Sequence, residues 1–425
     1  MSAKDFYAAV VLGDFYDPAT TPDLLIALKR PSLPAYYMDE QPGPTQANAI
    51  FDALRKIGSP DAAPTVRAMW SGGGGGKKGK GAPAPEAGVD LGTKILAIGA
   101  YPFLTRDGAG SDELAKMAAD NTADDGLRQE AATAFARLSR DKNDIAVLEG
   151  LAQKYFDAAA KKRTEANGKP KAAADAAEKE FEEQKKALDA IKVALIKTTK
   201  DASKSVDDIK NATEAAKKAE EDFKAHKKKH RDATAPYKAA DGAAKAYKGY
   251  ARMFQTHVAR IEVALRCKDD LACYANTLTL KPEDSAKNVA PYIKDIKDWT
   301  KDEQLGLLEG NIERAMLELG KKGQKASAHT DLLLDNAKSD NRLIRQSILL
   351  ALPKIAAVPC TNCEAKLDAA IKAGEGKTTI GSLNFETTML RNYFSWAGGK
   401  TPSKSSAPAE KSAAPAEAAA PAKQD

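Results

Sequence analysis

Along residues 339–357, SDNRLIRQSILLALPKIAA, apolar side chains recur at Ile344, Ile348, Ala351, Leu352 and Ile355. That spacing predicts an amphipathic helix with Ser339 or Asp340 as its cap. One helix cannot bury so wide a stripe by itself. A second helical run, CEAKLDAAIKA at residues 363–373, follows after a short turn. Looser copies of this helix–turn–helix unit recur along the chain, and the pattern predicts a stack of such pairs.

The first pair is AAVVLGDF at 8–15 and TPDLLIALKR at 21–30. Pro18 ends one helix, and Thr21 can cap the next with Pro22 at its first position. The second pair is TQANAIFDALRKIG followed by SPDAAPTVRAMW, with Gly58 as the stop and Ser59–Pro60 as the restart. A weaker third pair is LGTKILAIGAYPFL with SDELAKMAAD. The fourth is DDGLRQEAATAFARLS with NDIAVLEGLAQKYFDAAA. Further on come GYARMFQTHVARIEVALRC with DDLACYANTL, a helix around VAPYIKDIKDW, and EQLGLLEGNIERAMLELG with AHTDLLLDNAK. The apolar run FETTMLRNYFSW at 385–396 reads as a cap on the end of the stack.

Between residues 161 and 249 the pair pattern vanishes. The segment is rich in Lys, Ala and Glu, as in long exposed helices. Its large apolar residues keep a seven-residue spacing: Phe181, Leu188 and Leu195, then Ile209, Ala216 and Phe223. A single long helix fits this spacing, and so does an antiparallel hairpin with its tip at 199–205. The hairpin is the better reading, because the chain must return to the next pair. It sets Phe181 near Phe223, Leu188 near Ala216 and Leu195 near Ile209, in a thin coiled-coil-like seam. It also sets the breakers at 167–170 beside those at 234–236 and 241–242. Ser205, three residues before Asp208, predicts a capping box at the return.

The resulting segmentation is 1–70 helix pairs, 71–88 linker, 89–160 pairs, 161–249 insertion, 250–397 pairs with the end helix, and 398–425 tail. The linker, SGGGGGKKGKGAPAPEAG, cannot pack. It is not a phosphate loop: Ser71 stands where the first Gly is needed, and Lys78 follows Lys77 where Ser or Thr is needed. The Ala-, Pro- and Lys-rich tail has no apolar period and predicts disorder.

Composition agrees with helix. Ala, Lys, Leu, Asp and Glu dominate, and alternating runs of Val, Ile and Thr are nearly absent, so essentially no strand is expected. The 425 residues carry 65 basic and 59 acidic side chains, a net charge of +6. The charges are interspersed, as on solvated helix faces; nucleic-acid binders normally cluster a stronger excess. No apolar run reaches the ~18 residues of a membrane span. The N-terminus, MSAKDFYAAVVLGDF, lacks a basic leader and a cleavage site, so it does not read as a signal peptide. The chain opens inside a helix pair, which allows for an upstream segment carrying any export signal.

The pair pattern resembles the HEAT-repeat family. The residues that carry the resemblance are Asp340 and Arg345 in an Asp-x-x-x-x-Arg spacing, the Ala351–Leu352 step, the Gly58–Ser59–Pro60 and Asp17–Pro18 turns, and the mid-helix Pro353. Pro18 and Pro60 lie 42 residues apart and Asp302 and Asp340 38 apart, against roughly 40–47 for this repeat class. The resemblance implies an all-α solenoid of HEAT-like helix pairs that binds other macromolecules. It supplies no catalytic residues. It also implies that Arg128, Arg314, Arg342 and Arg345, with Asp340, bond neighbouring carboxylates and turn carbonyls as a ladder along the stack.

Chemistry-bearing residues are few. Four cysteines stand as Cys267-x5-Cys273 and Cys360-x2-Cys363. Two local disulfide staples, four buried thiols, and a metal or redox site are the alternatives, in that order. Staples need an oxidising compartment and would make the chain extracytoplasmic; free thiols would leave it cytoplasmic. His226 and His230 share a helix face, but Lys227, Lys228, Lys229 and Arg231 around them point to a solvated basic surface rather than a metal site. His257 and His329 are isolated. No serine or cysteine nucleophile has a recognisable base.

The function expected from the sequence is therefore a non-enzymatic protein-binding scaffold, without cofactor or metal, whose protein partner the sequence does not name. A nucleic-acid binder using the Lys-rich hairpin is the second reading, and an enzyme built on the solenoid the third.

Overall fold

The computed structural model describes residues 3–30, 34, 37–38, 41–71, 89–374 and 385–399. The expected linker lies almost wholly outside the described residues, as does the expected tail beyond residue 399.

Among the described residues the regular structure is helical apart from a short antiparallel pairing of Tyr37–Met38 with Gln41–Pro42 and an isolated bridge between Pro34 and Thr45. In chain order the first helices are α1 (Ala3–Asp14), α2 (Thr21–Leu28), α3 (Gln46–Ile57) and α4 (Ala63–Trp70). Next come α5 (Leu91–Leu104), α6 (Ser111–Ala119), α7 (Asp125–Leu138) and α8 (Asn143–Asn167). Two long helices follow, α9 (Lys169–Lys200) and α10 (Val206–Cys267), then α11 (Leu271–Asn276) and α12 (Pro282–Val289). The last are α13 (Lys301–Lys322), α14 (Thr330–Asn336), α15 (Arg342–Ile355), α16 (Thr361–Gly374) and α17 (Phe385–Ala397). No helix among the described residues is long and apolar enough to cross a membrane.

Contacts group the chain into two units. One comprises Met1–Thr65, Leu271–Leu278 and Ala315–Asp425; the other comprises Val66–Asp270 and Thr279–Arg314.

In the first unit α1 lies along α3. Gly13 permits the approach, because a Cβ there would sit 2.7 Å from the Ala53 Cα. Gly58 ends α3 in the left-handed region (φ 67°), where glycine has no Cβ penalty. The residues that follow α1, and the end of α3, meet α15 and α17. The buried Tyr16 hydroxyl donates to the Leu349 carbonyl (2.9 Å), and Lys354 donates to the Arg55 carbonyl (3.2 Å). Phe15 stacks on Trp396 with centroids 4.2 Å apart, and Tyr16 meets Tyr393 edge-on at 5.1 Å. Helix α17 is therefore not the terminal cap expected from the sequence. Leu390 and Phe394 are buried, while Tyr393 and Trp396 meet the aromatic residues that follow α1. Apolar residues stand on two faces of α17, the second only partly covered, since Trp396 keeps 42% exposure. Pairs stacked in chain order would not bring the first beside the last.

The second unit is centred on α10. Its C-terminal half packs on α7 and α8, through buried Phe254, Val258 and Ile261. Tyr155 of α8 stacks on Phe254 at 5.4 Å. Four local expectations change, two in this unit and two in the first. Helix α10 runs unbroken through Pro236 and Gly242, and neither 160–161 nor 249–250 interrupts a helix. Proline removes one intrahelical donor and crowds the carbonyl four residues back, a cost that packing along α8 and α9 offsets. The helix expected around VAPYIKDIKDW is instead α12, which starts at Pro282 and ends before Pro291. The cap of α15 is Asn341 rather than Ser339 or Asp340: its side chain accepts from the Leu343 N–H at 2.9 Å. Thr21 is likewise inside α2, whose cap position is Thr20.

All four cysteines are disulfide-bonded, with Cys360 joined to Cys363. Loops this short remove little unfolded-state entropy, about 2 kcal/mol per bridge. Reduction is expected to lower the melting temperature measurably without unfolding the chain at room temperature. An unchanged melting curve, with four thiols titrated after reduction, would count against any stabilising role for the bridges.

Candidate functional site

Helices α9 and α10 run antiparallel from a turn at residues 201–205. Ser205 accepts from the Asp208 N–H (3.1 Å) and Asp208 from the Ser205 N–H (3.0 Å), the reciprocal box expected there. Phe181 lies 5.2 Å from Phe223, Leu188 and Ala216 are both buried, and Leu195 and Ile209 are half-buried. Ion pairs cross the seam between Lys192 and Glu220 (2.8 Å) and between Lys229 and Glu180 (2.9 Å). His226 and His230 belong to this seam rather than to a bare basic face. His230 Nε2 is 2.6 Å from Glu178, and its ring stacks on Phe181.

Near the turn, apolar side chains point away from the seam. Val193 is 50% exposed, Ile196 52% and Val206 82%. Val193 and Ile196, with Lys197, Lys200 and Asp201, line an open groove of ≈ 460 Å³. The seven-residue reading missed them, because it followed only the buried seam. The second apolar face, at Val193 and Ile196, was visible in the sequence as an i, i+3 pair outside that seam.

A largely buried ion cluster joins α7, α10 and α13. Glu313 of α13 receives Arg137 of α7 through Nε at 2.6 Å and Arg260 of α10 through Nε at 3.0 Å, each arginine adding a second, terminal nitrogen. Burial alone would raise the Glu313 pKa, but Arg137 and then Arg260 outweigh it and hold the carboxylate far below its usual range. Arg260 donates to His257 Nδ1 (2.9 Å), so His257 carries its proton on Nε2, facing Thr133 Oγ1 at 3.2 Å. Burial first, then Arg260 and Arg137, push the His257 pKa well down and keep the ring neutral.

The five residues singled out as a ladder sit as follows. Arg128 donates to the Ala118 carbonyl (3.4 Å) and pairs with Asp125. Arg314, fully buried, donates to the Ala136 carbonyl at 2.9 Å. Arg342 and Arg345 converge on Glu386 at 3.2 and 3.4 Å. Arg345 reaches the carbonyl of Asp340 (3.2 Å) rather than its carboxylate. Glu386 had not been foreseen as their shared partner; it lies 41 residues from Arg345.

With every cysteine oxidised, a thiolate zinc site is not formed. Among the described residues no group of three or more His, Cys, Asp or Glu side chains is placed to hold a metal. No family model, curated protein or solved structure matches this chain.

Proposed function

We propose that this chain is a non-enzymatic protein-interaction scaffold built on HEAT-like helix pairs, with α9 and the first part of α10 as a hairpin insertion that carries a docking end. The observation that carries the reading is the pair of exposed apolar side chains Val193 and Ile196 lining an open groove near the hairpin turn. Apolar side chains clustered around a groove mark contact surfaces more often than scattered ones do. Two strongly perturbed ionisable groups, Glu313 and His257, are engaged by arginines in a buried ion network, and such networks perturb a pKa without any catalytic role. The disulfides favour an oxidising, extracytoplasmic compartment.

The test is affinity capture from the native source with the intact chain and with a Val193→Asp/Ile196→Asp variant. A protein retained by the first and lost by the second is expected, with retention insensitive to salt. Equal capture by both would remove the docking end. Retention that collapses between low and moderate salt, or after nuclease treatment, would favour the nucleic-acid reading instead.

A further inference from the structure

Cys360 and Cys363 are joined by a disulfide at the start of α16. A bridge between residues three apart constrains little of the unfolded chain. Helix α16 is also held without it, through buried Leu367 and Ala370 and by packing on α14 and α17. The fold therefore tolerates both the closed and the open form of this bridge.

The two sulfurs are not equivalent. Cys363 has 0% exposure, whereas Cys360 is half-buried. Ala357, Val358 and Pro359, which lead into Cys360, are exposed, and so is Asn362. An incoming thiol can approach Cys360, while Cys363 offers it no surface.

Cys360 also stands where a helix cap stands. It directly precedes α16, and its Sγ accepts the Cys363 N–H at 3.2 Å. That is the bond a capping side chain makes to the third residue of a helix. The free N–H groups of a first turn and the positive end of a 14-residue helix both favour negative charge there. Lys366, on the next turn, is held by Asp331 and Asp335 of α14 (3.0 and 3.1 Å), so the N–H groups rather than a lysine support the charge. Once the S–S bond opens, a Cys360 thiolate keeps its donor. A thiolate stabilised in this way leaves readily, and a stabilised reduced form makes the disulfide the better oxidant.

We propose that Cys360–Cys363 is an exchangeable disulfide that oxidises a dithiol of another protein, with Cys360 as the sulfur attacked. A substrate thiolate attacks Cys360 Sγ. The bond to Cys363 breaks, and Cys363 takes up the proton that the substrate thiol gave up. The second substrate thiolate, its proton lost to solvent, then attacks the substrate sulfur of the mixed disulfide. A disulfide forms in the substrate, and Cys360 leaves as the thiolate. Two electrons pass from substrate to chain in one stoichiometric exchange. The exposed Val358 (40%) gives the substrate chain an apolar contact beside the sulfur. This assignment goes beyond the scaffold reading and does not rest on the docking end of α9 and α10.

The experiment treats the unaltered, folded chain with millimolar reduced glutathione, quenches it in acid and maps the cysteines by mass spectrometry. Opening of the Cys360–Cys363 bridge is expected, with glutathione on Cys360 in at least about tenfold excess over Cys363, as access and thiolate character dictate. In a second arm, Cys363→Ser is expected to form a mixed disulfide with oxidised glutathione at least about tenfold faster than Cys360→Ser does. A bridge that stays closed in glutathione and opens only when denaturant is added would overturn the proposal and leave a structural staple. Equal labelling of the two cysteines would overturn it as well. The mapping uses the unaltered chain, so it decides the matter even if a variant misfolds.

Discussion

Glu313→Ala is expected to destabilise the second unit by about 3 kcal/mol, the lower end of what removing one partner from a buried ion pair costs. The lower end applies because the Glu313 side chain keeps 19% exposure. The change leaves Arg137 and Arg260, both nearly buried, facing each other without the carboxylate that joins them. Gln should recover part of the loss, because an amide oxygen still accepts but carries no charge. Urea midpoints of the three proteins decide the matter. A loss under about 1 kcal/mol, the size seen for exposed pairs, would mean that the arginines find water or new partners.

The same cluster sets a pH dependence. Glu313 has a depressed pKa when folded, so its stabilisation is present above the unfolded value near ~4.3 and is lost as pH falls below it. His257 acts in the same direction and earlier. Its folded pKa is also depressed, so the unfolded chain takes up a proton first, as pH falls through ~6.5. Stability should therefore decline in two stages on acidification, and His257→Gln should flatten the upper one. A stability that rises between neutral pH and mild acid would contradict the His257 assignment, and one that rises below about pH 4.3 the Glu313 assignment.

What the sequence made legible was local. The Ser205–Asp208 box, the Gly58 stop and the apolar face of Ile348, Leu352 and Ile355 each lie within a few residues of one another, and each is present. Caps failed where several polar residues stood in a row. Ser339, Asp340 and Asn341 are all competent, and the choice follows from nested turns: Ser339 Oγ accepts from the Asn341 N–H, and Asn341 then accepts from Leu343. The helix expected near Tyr292 failed because a distant residue, Arg252, holds Asp295 in a loop. The ion cluster joins Arg137 to Glu313 across 176 positions, and Tyr16 meets Leu349 across 333. No periodicity carries that information. Contacts of this range decide which helices become neighbours, so the helices could be read and their order in space could not.

Arg345→Ala should have an effect comparable to that of Glu313→Ala, for a reason that separates charge from geometry. Arg345 and Glu386 are each 3% exposed, and the guanidinium also holds the carbonyls of Ser339 (2.7 Å) and Asp340 (3.2 Å) at the entry to α15. Truncation leaves Glu386 buried with only Arg342, whose side chain is 62% exposed, and frees two turn carbonyls. A loss of about 3 kcal/mol is expected. Arg345→Lys should recover little, because an ammonium cannot reach three acceptors with one planar fork. The double change Arg345→Met/Glu386→Leu should be less damaging than Arg345→Ala alone, since it removes the stranded carboxylate. Denaturation of the unaltered chain, Arg345→Met, Glu386→Leu and the double variant completes a double-mutant cycle. If the two changes simply add, the pair is not coupled and the turn carbonyls carry the effect. A coupled result would mean that α15 and α17 are joined through this buried charge as well as through apolar contact.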